Sequence, residues 1–371
     1  MSINPFKYGK AVVGKDFIDR EEELKELSSD LLSGQSVIIY SHRRLGKSSL
    51  ILESFRRMED EDVITVYIDM YGVSSLKDLM EMIVQKTVSE GYNSIEKVGK
   101  AAGEFLKSLR PKIYLEEGKI GVEIYREETN KNTLTEALDF PQKVAEKRDQ
   151  RIVMAFDEFQ EITKLDGREI EKTMRSVFQL HDSVSYLFAG SKTHLLKDIF
   201  EDGDRPFYNF GKIKTLGKIP RDEFAEGVKE KFEGTGRAVT PDIIESIFDI
   251  TDGHPYYTQQ LCHELWFLSA EEPLEVEMVE IARENILQYR SDFYEHQWSE
   301  LNSKVQRRLL LALADGVEDI YSEEAIREYQ LKTSSHVQKA QKALESKDIV
   351  KDRSIVDLFF KSWIEEKFLS S

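Results

Sequence analysis

IIYSHRRLGKSSL, residues 38–50, decides how the rest of the chain is read. It continues an apolar run, SVIIY at 36–40, of the kind a buried parallel strand needs, and it leads into SSLILESFRRM, which has helical spacing. Between the two stands Gly46-Lys47-Ser48. A strand, a glycine-bearing turn and a helix N-terminus together aim backbone N–H groups at one point, which makes an anion site. In such a loop Gly46 lets the backbone come close to phosphate, Lys47 reaches the β- and γ-phosphates, and the Ser48 hydroxyl ligates Mg2+. Ser41, His42, Arg43, Arg44, Leu45 and Ser49 complete the cradle expected around ATP. Of Arg43 and Arg44, one either touches phosphate or braces a neighbouring element, or both stay solvated.

One residue departs from the usual pattern. The glycine that opens such a loop, five residues before Gly46, is replaced by Ser41. Serine serves there if its φ is negative, at a cost of about 1 kcal/mol or less. The expectation is retained ATP binding with slow hydrolysis.

A phosphate loop also needs an acidic partner at the end of another strand. RIVMAFDEFQ, residues 151–160, supplies one: an apolar run closed by Asp157 and Glu158. Asp157 is expected to hold the Mg2+ shell, and Glu158 to orient or deprotonate the attacking water. A glutamate in that place favours hydrolysis over transfer to a small substrate. Without the loop, the same pair would read as solvated charge at a strand end.

The surrounding pattern is α/β. DFIDREEELKEL reads as a helix start with Asp19 as N-cap and Glu22 completing a capping box, and Gly34 closes that helix. DVITVYIDMYG (62–72) is a second strand, SLKDLMEMIVQKTV (75–88) a helix, and SVSYLFAGS (183–191) a fourth strand after that at 151–160. Residues 92–131 are less regular and read as an insertion, with a hairpin in KIYLEEGKIGVEIY turning near Glu117-Gly118. Strands alternating with helices imply a mostly parallel sheet. The core is read as residues 1–217. Residues 218–299 hold four helical segments, PRDEFAEGVKEKF, TPDIIESIFDIT, HPYYTQQLCHELWFLS and EVEMVEIARENILQY, with Thr240-Pro241 as a cap pair and Gly253 as a stop. Residues 300–371 run helix, helix, helix and then short apolar pieces, the order of a winged helix-turn-helix.

Bulk properties agree with a soluble protein. The 371 residues are 40% hydrophobic and 33% charged, and no apolar run nears the ~20 residues that span a bilayer. The N-terminus MSINPFKYGK has no apolar signal core. The single cysteine, Cys262, suits a reducing cytoplasm and reads as a buried, inert thiol. The seven histidines show no zinc-ligand spacing, so no zinc site is expected. The net charge of −17 disfavours non-specific nucleic-acid binding by the whole surface. Residues 300–371 carry 12 Lys and Arg against 13 Asp and Glu, a net of −1, so a local DNA-binding face at that end stays open.

NPFKYGKAVVGKDFIDREEEL, HRRLGKSSL, VMAFDEFQ, RPFYNFGKI and TDGHPYYTQQL together resemble the archaeal-type ATPases of the AAA+/STAND group of P-loop NTPases, in order and over nearly the whole chain. The resemblance implies a five-stranded parallel-sheet core, a helical lid and a C-terminal winged helix, with ATP between core and lid. Arg44, Gly46, Lys47 and Ser48 match the family loop, and Asp157 and Glu158 match its metal aspartate and catalytic glutamate. Ser191 falls where such ATPases keep a polar sensor of the γ-phosphate. Gly253-His254-Pro255 resembles the lid turn near adenine, and Phe17, Ile18 and Arg20 lie in the segment that borders the base. Arg205 is a candidate arginine finger, although the arginine that many relatives carry after PFY is replaced here by Asn209-Phe210.

Three functions follow. One is an ATP-dependent conformational switch with slow hydrolysis. Another is an initiator-like, ATP-dependent DNA-binding protein that reads through His336, Lys339, Lys342 and Lys347, although Glu345 and Asp348 lie close by. The third is a non-hydrolysing nucleotide scaffold, with Ser41 as its only support. The partner through the winged helix is either a protein or DNA, no membrane is expected, and the oligomeric state is left open.

Overall fold

In this computed structural model, the described residues are 3–92, 103–107, 109, 111–116, 119–124, 130–165, 167–269 and 273–370. They divide into two compact units, 9–219 and 1–8 with 220–371.

In the first unit the apolar runs become strands β1 (Val37–Ser41) and β2 (Val63–Asp69), a hairpin of β3 (Pro111–Glu116) and β4 (Lys119–Ile124), then β5 (Arg151–Asp157), β6 (Val184–Gly190) and β7 (Lys212–Leu216). Five of these form one parallel sheet in the order β2-β5-β6-β1-β7. Alternate residues point to opposite faces of a strand, so each run feeds two cores. Val37, Ile39, Val153, Ala155, Leu187 and Ala189 pack with α1 (Glu21–Leu32) and α2 (Lys47–Arg57). Ile38, Tyr40, Met154, Phe156, Tyr186 and Phe188 pack on the other face, with α3 (Leu76–Gly91), α4 (Lys131–Arg148), α5 (Gly167–Phe178) and α6 (Thr193–Phe200). β5, β6 and β1 are neighbours, so their C-terminal ends, where open α/β sheets bind ligands, lie side by side.

The structure corrects three local expectations. The α1 N-cap is Arg20, not Asp19: Arg20 adopts a left-handed φ of 69°, and its side chain makes no capping hydrogen bond. The conformation is held by distant carbonyls, which no local pattern encodes. A fifth strand, β7, lies in a stretch not read as strand from its residues. The hairpin strands pair antiparallel from Pro111↔Ile124, but the turn residues Glu117 and Gly118 lie outside the described residues.

The second unit holds α7 (Arg221–Glu233), α8 (Pro241–Thr251), α9 (Pro255–Leu268) and α10 (Glu277–Ser299), followed by α11 (Lys304–Ala314), α12 (Glu323–Glu328), α13 (Ser334–Ser346), the two-stranded wing β8 (Val350–Lys351) with β9 (Ser354–Ile355), and α14 (Leu358–Ile364). The third corrected expectation is α10, which runs on to Ser299 instead of stopping near Tyr289. Its outer turns stay helical because Tyr294 is buried there, with its ring tilted against those of Phe360 and Trp363 at 5.4 and 6.1 Å and its hydroxyl donating to Asp357 Oδ1 at 3.3 Å. Among the described residues, no helix is long and apolar enough to cross a membrane.

Candidate active site

The loop between β1 and α2 is built as its sequence requires. Ser41 ends β1, buried and without a positive φ, and its hydroxyl donates to the His42 carbonyl at 3.0 Å. Serine therefore takes the place of the opening glycine without backbone strain. Gly46 is the N-cap of α2 with φ of 89°; nothing lies within 4 Å of where its Cβ would be, so glycine is needed there for the backbone, not for space. His42, Arg43 and Arg44 are exposed, with Arg44 itself left-handed. Leu45 is buried, and its carbonyl accepts from Arg20 Nη2 at 2.9 Å. The same Arg20 nitrogen reaches the Gly217 carbonyl at 2.8 Å, just past β7, while Nη1 pairs with Glu23. Arg20, 2% exposed, is thus a clamp on the loop. Phe17 packs partly buried against the α1–α2 core, and Ile18 is buried. Ser49 accepts a bond from the Val12 N–H at 3.1 Å, which ties the N-terminal segment to α2.

The acidic half stands opposite. Lys47 Nζ donates to Asp157 Oδ1 and, at 3.0 Å, to Glu158 Oε1. The Ser48 hydroxyl donates to Asp157 Oδ2 at 2.5 Å, and the Tyr67 hydroxyl to the same oxygen at 2.7 Å. The Glu158 N–H donates to Asp157 Oδ1 at 2.8 Å. Glu158 itself has φ of 52°, a left-handed strain of the kind proteins keep at functional sites. Burial pushes its carboxyl up, but the Lys47 charge, with hydrogen bonds from Gln160, Lys47 and Ser191, outweighs burial and brings it to about 2. Glu158 is therefore ionised at neutral pH. Burial and then the charge of Asp157 push the Tyr67 phenol far above its ordinary value, so it remains a donor.

The structure brings Lys47, Ser48, Asp157, Glu158 and Ser191 together: the Ser191 N–H and Oγ donate to Glu158 Oε2 at 3.2 and 2.8 Å. Arg205 is not part of this cluster. Its Nε and Nη2 make a two-pronged bond to Glu171 at 3.1 and 2.5 Å, with the Glu171 carboxylate fully buried. His254 and Pro255 lie in the other unit, as N-cap and first residue of α9, after Gly253 with φ of 60°. Tyr67 and Gln160 were not singled out from sequence. Tyr67 is marked in the sequence only by its position two residues before the end of β2, whereas Gln160, two beyond Glu158, also closes the stretch VMAFDEFQ that carries the family resemblance. Ser48 and Asp157 offer hard oxygens, one hydroxyl and one carboxylate, a donor set that suits Mg2+.

The sequence model for the ATPase domain predominantly from Archaea matches residues 17–261, and one for a probable winged helix domain matches 292–366. Among curated proteins, no sequence matches. Among solved structures, the chain is similar to the Walker-type ATPase PABY2304 of Pyrococcus abyssi (18% identity, 97% of this chain and 99% of that one, TM-score 0.67). It is also similar to the ORC2 protein of Aeropyrum pernix in its ADPNP-ADP complexes (15%, 99% and 98%, 0.53) and to the ORC1 protein of the same organism in complex with DNA (14%, 95% and 93%, 0.52). At these identities the likeness concerns the fold.

Proposed function

Because the chain belongs to the family of ATPase domains found predominantly in Archaea, we propose that it hydrolyses ATP slowly at the cluster built on Lys47, Ser48, Asp157 and Glu158, and uses the cycle as a conformational switch. The observation that carries this reading is the ammonium of Lys47, buried between the two carboxylates at the mouth of the loop. A lysine so placed leads from the acidic pair to any phosphate seated on the α2 N-terminus. Ser48 and Asp157 would hold Mg2+, which when bound supplies charge neutralisation at the β- and γ-phosphates. Tyr67 keeps the Asp157 carboxylate oriented. Glu158 accepts the proton of the attacking water as the water oxygen bonds the γ-phosphorus and the bridging bond to ADP breaks. Arg20 holds the loop in shape through the Leu45 carbonyl.

Phosphate release by the purified chain, with Lys47→Ala and Glu158→Gln beside it, tests the reading. Lys47→Ala is expected to lose nucleotide binding, and Glu158→Gln to keep it while kcat falls about a hundredfold or more, the usual contribution of a general base. Background-level release by the wild-type chain that still binds ATP would leave only the scaffold reading.

A second reading, ATP-dependent DNA binding, draws on one face of α13. His336, Lys339 and Lys342 are exposed there, while Val337, Ala340 and Leu344 are buried on the opposite side. The similar ORC1 protein was solved in complex with DNA. A gel shift across a salt series decides. Retardation that weakens with salt favours this reading, and none at about 50 mM salt removes it.

A further inference from the structure

We infer that Gln160 is a positioning residue for the Glu158 carboxylate: together with Ser191 it fixes Oε2, and this leaves Oε1 as the oxygen that meets the attacking water. The inference rests on the ATPase reading above and assigns the two carboxylate oxygens different work.

Gln160 lies in the 3-10 turn Phe159–Lys164 that follows β5, and it is 2% exposed. Its Nε2 donates to Glu158 Oε2 at 2.5 Å. Its Oε1 is buried with no hydrogen-bond partner among the described residues. Leaving an acceptor unmade is costly, so this side chain is not placed to satisfy itself. Reversing the amide would set its oxygen against the carboxylate, acceptor facing acceptor, so the charge of Glu158 determines which end points where.

The second element that holds Gln160 is Gly190, the last residue of β6. A Cβ there would come within 1.9 Å of Gln160 Oε1 and 2.9 Å of Leu196 Cδ1. Gly190 has no positive φ, so glycine is required by space and not by backbone. Its bare Cα is the slot into which the amide fits. The residue after it, Ser191, supplies the other two donors to Oε2. Oε2 thus takes three donors from two strand ends, all within the sheet's own framework. Among the described residues, Oε1 takes Lys47 alone. When Lys47 turns to the phosphates of ATP, Oε1 loses its partner and Oε2 keeps all of its own. Oε1 then takes a proton from water as the new P–O bond forms and ADP leaves.

The test uses the full chain, with steady-state phosphate release and titration of a fluorescent ATP analogue. Gln160→Leu keeps the bulk and removes the donor; it is expected to lower kcat about tenfold, the low end for loss of a supporting hydrogen bond at a catalytic group, with analogue affinity unchanged. Gly190→Ala, which displaces the amide from the opposite side, is expected to do the same. In single turnovers of a Glu158→Gln chain, adding Gln160→Leu is expected to change nothing further, because the group it acts through is already lost. A purely structural Gln160 would instead lower both backgrounds by the same factor or weaken the analogue. Either result overturns the inference, as does wild-type kcat in Gln160→Leu, or in Gly190→Ala should the leucine variant not fold. A Glu158→Gln chain that turns over like wild type removes Glu158, and this inference with it, from the hydrolytic step, whereas background-level release by the wild-type chain removes the ATPase reading itself. A loss in Glu158→Gln without one in Gln160→Leu removes this inference alone.

Discussion

Arg205, expected as a candidate arginine finger, has a partner within its own chain. An arginine before a proline, in a stretch shared with ATPases, suggests a finger for a neighbour's phosphate. In the structure its fork is spent on Glu171 of α5, whose carboxylate has no exposure of its own. Burial pushes the Glu171 carboxyl above its ordinary range, and the Arg205 charge opposes that rise. Removing the arginine strands a buried charge. Arg205→Leu is expected to lose about 3–5 kcal/mol at neutral pH, the cost of breaking a buried pair from one side. The sign with pH follows from the upward shift. The protonated form of Glu171 suits the buried site, so stability in the variant is greatest below the unfolded value of about 4.3 and falls as pH rises through the higher folded value. Denaturant midpoints of the variant should therefore recover on acidification, relative to wild type, and Glu171→Gln added to it should flatten that difference. Midpoints that track wild type at every pH would instead return Arg205 to the role of finger, to be sought by mixing Arg205→Leu chains with Lys47→Ala chains.

At the scale of elements, the contrast is between β1 or β5 and β7. The first two are buried on both faces, so their residues had to be apolar throughout, and their places could be read from sequence. β7 is an edge strand, KIKTL, exposed over most of its length. Its lysines serve α1: Lys212 Nζ pairs with Asp30 at 2.9 Å and Lys214 Nζ with Glu26 at 2.6 Å. Charge on an edge strand discourages unwanted pairing, and it also hides the strand from a search for apolar runs. What starts β7 is Gly211. A Cβ there would lie 2.5 Å from the Ser36 carbonyl oxygen, the same oxygen that accepts from the Lys212 N–H at 2.9 Å. Because the clash is with backbone, it cannot be relieved by a side-chain rotation. Gly211→Ala is expected to cost about 1–3 kcal/mol, the usual range for overpacking, as a lower urea midpoint with an unchanged m value. An unaltered midpoint would show that β7 closes onto β1 without that approach. The same logic explains why the Arg20 clamp was out of reach. Its left-handed backbone answers to the carbonyls of Leu45 and Gly217, neither of which is near it in sequence. The loop and the acidic pair were legible because each is a local pattern. Gln160 and Tyr67 were not, since they became part of the site only when the strands were laid side by side.

At the scale of the molecule, the phosphate loop and its acidic partners all lie in the unit 9–219, while Cys262 lies in the other, on α9. That thiol is fully buried, and burial pushes it far above its ordinary value, so it reacts only when α9 opens. It is the sole cysteine, and this makes it a reporter already built into the chain. Nucleotide at about 100 times its dissociation constant stabilises whatever it binds by about 2.7 kcal/mol. If ATP acted on residues 9–219 alone, labelling of Cys262 would not change. A conformational switch requires that the second unit respond to the same binding energy, since a ligand shifts a state only through differential affinity for it. The switch reading therefore predicts that ATP slows Cys262 labelling about tenfold in Glu158→Gln, where turnover is blocked, which corresponds to roughly half of the available stabilisation reaching α9. The same ATP should have no effect on a Lys47→Ala chain. Equal labelling rates with and without ATP in Glu158→Gln, alongside normal binding of the analogue, would confine the nucleotide's influence to the first unit and remove the switch, leaving hydrolysis without transmission.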